Sequence, residues 1–152
     1  MSPETNTSSK DIVTDFVKLT LGKTRILIPN SELMSIESNI NLKYQTSHIS
    51  GFTKHDGAKI PVYAFDEDLQ PIPVKDSCHQ VCVLLEDGKD RIGILCDDAG
   101  EVTLNNVELH DLPDCMLGTI TAIHNIAVSN NTLYCVSNIK CFLLLIKNSG
   151  IE

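Results

Sequence analysis

The stretch ISGFTKHDGAKIPVYAF, Ile49 to Phe65, decides how the chain is read. Two glycines, Gly51 and Gly57, bracket a polar turn and lead into Ile60-Pro61-Val62-Tyr63. Glycines at such points favour a chain that bends or bulges and needs a positive φ. The run after them, AKIPVYAF, is rich in strand-forming residues but carries a proline in its middle. Proline cannot donate to a ladder, so the expectation is an edge strand or the mouth of a small barrel rather than a central strand. An edge beside an apolar run is a surface on which another chain can dock. A hairpin with no role beyond the fold fits the same residues.

Upstream, residues from Phe16 alternate, with Phe16, Lys18 and Thr20 on one side and Val17, Leu19 and Leu21 on the other. That is the pattern of a half-buried strand. Gly22-Lys23 makes a turn into a second strand, Thr24 to Ile28, so the chain opens with a β-hairpin. Pro29 to Glu32 stops that strand, and Asn30 or Ser31 is placed to cap a short helical turn bearing Leu33, Met34 and Ile36. Ser38 to Ser50 reads as a loop.

Downstream, Asp66-Glu67-Asp68 with Pro71 and Pro73 marks a connection without regular structure. His79 to Leu85 is a nearly continuous apolar strand, Glu86 to Asp90 a hairpin turn, and Arg91 to Cys96 the return strand. Asp97 to Val102 is expected to close it as a polar turn or short bulge, and Leu104 to Gly118 to be a loop. Thr119 to Val128 and Thr132 to Val136 form a strand pair about Ser129-Asn130-Asn131. Asn138 to Ile146 is an apolar terminal element whose periodicity does not separate helix from strand. The total is about eight to ten short strands with little helix, a mostly β barrel or sandwich.

A chain of 152 residues supports one core or two small subdomains sharing one. The formal net charge of −8 argues against nucleic acid and anionic membranes as partners, because both attract a basic surface. A protein partner is the expectation. Residues 1–10 are polar and read as a disordered leader, with 11–152 as a single domain. The longest apolar run, Cys141 to Ile146, is too short to cross a bilayer, so no membrane insertion and a cytoplasmic location are expected. The six cysteines suit a reduced compartment, most of them lying inside apolar runs as small hydrophobes.

The same residues say little for catalysis. Three carboxylates at Asp66 to Asp68 have no second cluster of calcium-loop spacing beside them. Cys78, His79 and Cys82 come nearest to a metal group. On an extended strand the two sulfurs lie roughly 13 Å apart, whereas zinc–sulfur bonds are ~2.3 Å. Histidines 48, 55, 79, 110 and 124 are scattered, and no phosphate-binding or metalloprotease motif is present. The expectation is no enzyme, no cofactor and no metal.

Three segments resemble the CheW-like domain of chemotaxis coupling proteins. GFTKHDGAKIPV, from Gly51, is similar to that family's "G-v-x-x-x-R-G-x-x-x-P-v-x-D-L". RIGILCDDAGEV, Arg91 to Val102, resembles "v-G-l-v-V-D-x-V-x-x-V", and Ile123 to Ala127 with Leu133 to Leu143 resembles "I-x-G-i-a … L-L-D-i-x-x-L". With the opening hairpin the similarity covers about residues 14 to 146. It implies two small five-stranded β-barrels packed together with few short helices. It also implies a non-enzymatic adaptor coupling a chemoreceptor's cytoplasmic tip to the regulatory domain of a CheA-type histidine kinase. The setting would be chemotaxis or the related control of type IV pili.

The partner-binding groove implied by the resemblance is shaped by Leu33, Ile36, Gly51, Gly57 and Pro61, with its charge set by Ser35 and Asp56. Asp56 stands where the family has arginine, and Ser35 where it has the glutamate that pairs with it. Losing both together is self-consistent, because a lone buried charge is costly. Ala64, Asn125 and Asn138 replace an aspartate, a glycine and an aspartate of the pattern. A reading of a different class is a small-ligand or redox-responsive β-barrel with the cysteines as sensors.

Overall fold

The computed structural model describes residues 15–38, 43–44, 51–74, 81–104, 107–111, 123 and 125–149. The expected leader, the Cys78-His79 pair and most of the loop before Gly51 lie outside the described residues. In chain order the strands are β1 (Asp15–Leu21), β2 (Thr24–Pro29), β3 (Leu33–Ser38), β4 (Lys43–Tyr44), β5 (Gly51–His55), β6 (Ala58–Phe65) and β7 (Pro71–Ile72). Then come β8 (Val81–Asp87), β9 (Asp90–Cys96), β10 (Asp98–Thr103), β11 (Glu108–His110), β12 (Asn125–Ser129), β13 (Thr132–Val136) and the helix α1 (Ile139–Ser149).

The strands form two sheets. The first has six in the order β10-β1-β2-β13-β12-β11, and the second has seven in the order β3-β8-β9-β6-β5-β4 with β7 on β6. The chain is mostly β, as expected. Setting aside β4, β7 and β11, which are only two or three residues long, leaves five main strands in each sheet.

Hydrophobic pattern explains the stacking. Val17, Leu19 and Leu21 of β1 enter a core that also takes Val83 and Leu85 of β8 and Ile92, Ile94 and Cys96 of β9. Phe16, on the opposite side of β1, enters a separate cluster with Leu27, Val107 and Ala127. The other faces of β8 and β9 send Cys82, Leu84 and Leu95 into a third cluster with Ile60, Val62 and Ala64. These two strands are therefore buried on both sides, which is why they read as continuous apolar runs rather than alternating ones.

In α1, Ile139, Phe142 and Ile146 fall on one helical stripe and all enter the core shared by the two sheets. The Phe142 ring lies 5.3 Å from that of Phe65 at 55°, within the range of favourable tilted aromatic contacts. Each such side chain, fully buried, contributes about 1.5–3 kcal/mol. That resolves the last apolar run as a helix.

Several expectations need correcting. Leu33, Met34 and Ile36 lie on strand β3; the helical turn before it is a single 3-10 turn, Asn30–Glu32, without a side-chain cap. Asp98 to Thr103 is a strand, not a turn, pairing antiparallel with β1 along its length. Its polar composition follows from being the outer strand of its sheet, where no residue is fully buried and Asp98, Glu101 and Thr103 are exposed. Strand β6 is internal rather than an edge, lying between β5 and β9. Pro61 is accommodated because the β9 ladder begins only at Val62. In the connection expected to lack regular structure, Pro71–Ile72 pairs with β6 as β7, while Asp66 to Gln70 is a turn as expected, Asp66 Oδ1 accepting from the backbone N–H of Asp68 and of Gln70 at 2.9 and 3.0 Å.

Candidate functional site

The hairpin of β5 and β6 is built by its two-residue turn. Asp56 and Gly57 have φ of +52° and +81°, as a type I′ turn requires at both central positions. An Asp-Gly pair is the favoured solution there, and it sets the register: His55 opposite Ala58, Lys54 opposite Lys59, Phe52 opposite Pro61, Gly51 opposite Val62. Asp56 thus replaces the arginine of the resembling pattern with a residue that suits left-handed backbone. Its carboxylate is 92% exposed and lies 3.6 Å from His55 Nε2, a contact of little energetic weight at such exposure.

Alternation along β6 sends Ile60 and Val62 into the core and leaves Lys59 and Pro61 on the outer face with Phe52 and Lys54. There the Lys59 ammonium sits 4.1 Å above the Phe52 ring, a cation–π contact.

Strand β3 carries the other part of the expected groove. Its register against β8 slips between Leu33 and Ser35, a bulge that lets Leu33 and Ile36, three apart, both pack on the shared core. Met34 packs on the second-sheet cluster instead, and the Ser35 hydroxyl donates to Glu37 Oε2. The seven expected residues therefore fall into two groups. Gly51, Asp56, Gly57 and Pro61 share one hairpin, while Leu33, Ser35 and Ile36 share one strand. In the sheet, β8 and β9 come between these groups, and Ser35 and Asp56 each have a neighbour on their own strand or turn as partner.

Sequence reasoning missed the anchoring of α1. Asn138 Oδ1 accepts from the Cys141 N–H at 2.9 Å, an N-cap contact, and Glu32 Oε1 accepts from the Ile139 N–H at 2.8 Å. Asn138 thereby does what an aspartate would do at that position. Burial pushes the Glu32 carboxyl above its usual range, the Ile139 N–H working in the opposite direction. Glu32 lies 107 residues from its partner, and no local pattern signals the contact.

The four described cysteines are poor candidates for chemistry. Burial pushes the Cys82 and Cys96 thiols each up to about 12, and burial also raises those of Cys135 and Cys141. The thiolate is the reactive form, so all four behave as packing groups. Among the described residues, no group of three or more His, Cys, Asp or Glu side chains is placed to hold a metal ion. No helix among them is long and apolar enough to cross a membrane.

Two packed, mostly antiparallel sheets with a terminal helix define a class of β fold already represented among solved structures. The chain is similar to the scaffolding protein TtCheW from Thermoanaerobacter tengcongensis, with a TM-score of 0.69 and 13% identity over 83% of this chain and 89% of that one. No family model and no curated protein sequence matches the chain. At that identity the likeness shows the fold.

Proposed function

We propose that the chain is a non-enzymatic adaptor of the CheW type, acting in the cytoplasm to couple a chemoreceptor's tip to the regulatory domain of a CheA-type histidine kinase. The observation that carries this reading is the shared fold with a scaffolding protein across most of both chains. The hairpin bearing the CheW-like pattern adds to it, with Gly57, a glycine of that pattern, at a φ of +81° that suits glycine. Cys82 and Cys96, buried with their thiols pushed up to about 12, fit a scaffold better than a redox sensor. Under this reading Leu33, Ser35, Ile36, Gly51, Asp56, Gly57 and Pro61 shape the partner groove, and the pathway is bacterial chemotaxis or type IV pilus motility.

The test is a calorimetric titration against the regulatory domain of the chemotaxis-type kinase from the same genome, at two salt concentrations because the chain is acidic. Binding near the micromolar range, ~8 kcal/mol, is the expected result. Asp56→Arg should change that affinity with an unchanged circular dichroism spectrum. No binding at either salt concentration overturns the adaptor reading.

A further inference from the structure

The outer face of the β5–β6 hairpin, Phe52, Lys54, Lys59 and Pro61, carries two lysines and no carboxylate in a chain of net negative charge. The protein has 12 Lys and Arg against 20 Asp and Glu. Yet Lys54 and Lys59 are directly opposite each other on this face, both exposed. Like charges in a cross-strand pair repel, and opposite charges there attract. Among the described residues, neither ammonium forms a salt bridge with a carboxylate. Lys59 leans over Phe52 instead, so the cationic pair is joined to an apolar step made by half-buried Phe52 and its cross-strand neighbour Pro61.

We propose that this face, Phe52, Lys54, Lys59 and Pro61, docks an acidic segment of a partner protein, with an apolar side chain of that segment resting on Phe52 and Pro61 and its carboxylates meeting the two lysines. Charge complementarity selects the occupant. A carboxylate between the ammoniums relieves their repulsion, and the net charge of −8 works against anions binding without such a local cationic pair. The inference rests on the adaptor reading only in sharing Pro61 and this hairpin with its partner groove; the chemistry it names is tested separately.

The full chain, isotopically labelled, is titrated with a short synthetic peptide alternating glutamate and leucine, with its glutamine counterpart and with a single-stranded oligonucleotide, and followed by amide shifts. The expected result is perturbation concentrated on β5 and β6, weakening as salt rises, with the glutamine peptide at least about tenfold weaker. The variant Lys54→Glu/Lys59→Glu should lose about tenfold or more in affinity for the glutamate peptide. Phe52→Leu, which keeps an apolar residue in the strand, should weaken binding less and keep the salt dependence. Circular dichroism and the melting temperature show whether each variant is folded, and Lys54→Gln/Lys59→Gln serves as a milder second variant should charge reversal disturb the hairpin. Shifts centred on another face, equal affinity for the glutamine peptide, unchanged affinity in folded lysine variants, or tighter binding of the oligonucleotide at this hairpin would each overturn the proposal. Because the probes are peptides and not the kinase, a failed kinase titration leaves this result intact, and the reverse also holds.

Discussion

Gly93→Ala tests the packing of the second sheet at its tightest point. Gly93 lies on β9 between Leu84 of β8 and Val62 of β6, its partners on either side. A Cβ built there would meet Val62 Cγ2 at 2.9 Å, Cys82 Sγ at 3.0 Å and Leu84 Cδ2 at 3.0 Å. All three residues are buried in the same cluster, so none has open space into which to retreat. Overpacking of this kind costs typically ~1–3 kcal/mol. Against it, alanine restricts the unfolded chain and returns ~0.4–1 kcal/mol. The net loss worked from these terms is about 1–2 kcal/mol, or roughly 4 °C in melting temperature for a chain of this size. Urea unfolding should show a lower midpoint with an unchanged slope. Adding Cys82→Ala removes one of the three close atoms, so the double variant should be more stable than the sum of the single effects by ~0.5 kcal/mol or more. A Gly93→Ala protein unfolding at or above the parent's midpoint would refute the packing argument, and additive effects would show that Cys82 is not part of the obstruction.

Two further predictions concern chemistry already described. Glu32 has its folded carboxyl raised above the ordinary value of 4.5, mainly by burial. The folded state therefore holds the proton more tightly, and stability is fully present below the unfolded value and falls as pH rises through the folded one. Glu32→Gln keeps an oxygen for the Ile139 N–H without the charge. It should gain stability relative to the parent near neutral pH and lose that advantage as pH falls toward 4.5, as read by urea unfolding at several pH values; a difference independent of pH contradicts the assignment. In thiol titration of the native protein, Cys82 and Cys96 should label slowly until denaturant is added, since both thiols stand at about 12. Rapid native labelling of either would revive the redox reading.

Much of the fold was legible because turn chemistry and alternation agree. The hairpins at Gly22-Lys23, Gly88 and Asn130-Asn131 all stand where turn residues interrupt apolar runs, and both asparagines indeed take positive φ. Strand β3 was misread because its bulge breaks the period of two and the preceding Pro29-Asn30 resembles a helix start. Strand β10 was missed because its order comes from pairing with β1 and not from an apolar pattern of its own. The last run was ambiguous because every residue from Cys141 to Ile146 is apolar, so only the core it meets distinguishes the buried stripe. At the candidate site, the Asp-Gly turn alone fixes that Lys54 faces Lys59 and Phe52 faces Pro61. The Glu32 contact to Ile139 is set by tertiary structure and leaves no trace in local sequence.

The way the two sheets divide the chain bears on how it is made. Strands β3 to β9, the whole second sheet, come from one uninterrupted part of the chain, whereas the first sheet joins β1 and β2 to β10 through β13. During synthesis the opening hairpin leaves the ribosome long before its neighbours exist. Val17, Leu19 and Leu21 wait on β8 and β9, and the β2–β13 ladder, Cys135 beside Ile26 and Val136 beside Leu27, forms only when β13 has emerged. The nascent chain can complete the second sheet first and must then bring β1 and β2 back to the strands that follow it. An interrupted or slowed translation near residue 130 would leave an apolar hairpin without the strand that covers its edge, a species for which chaperones would compete.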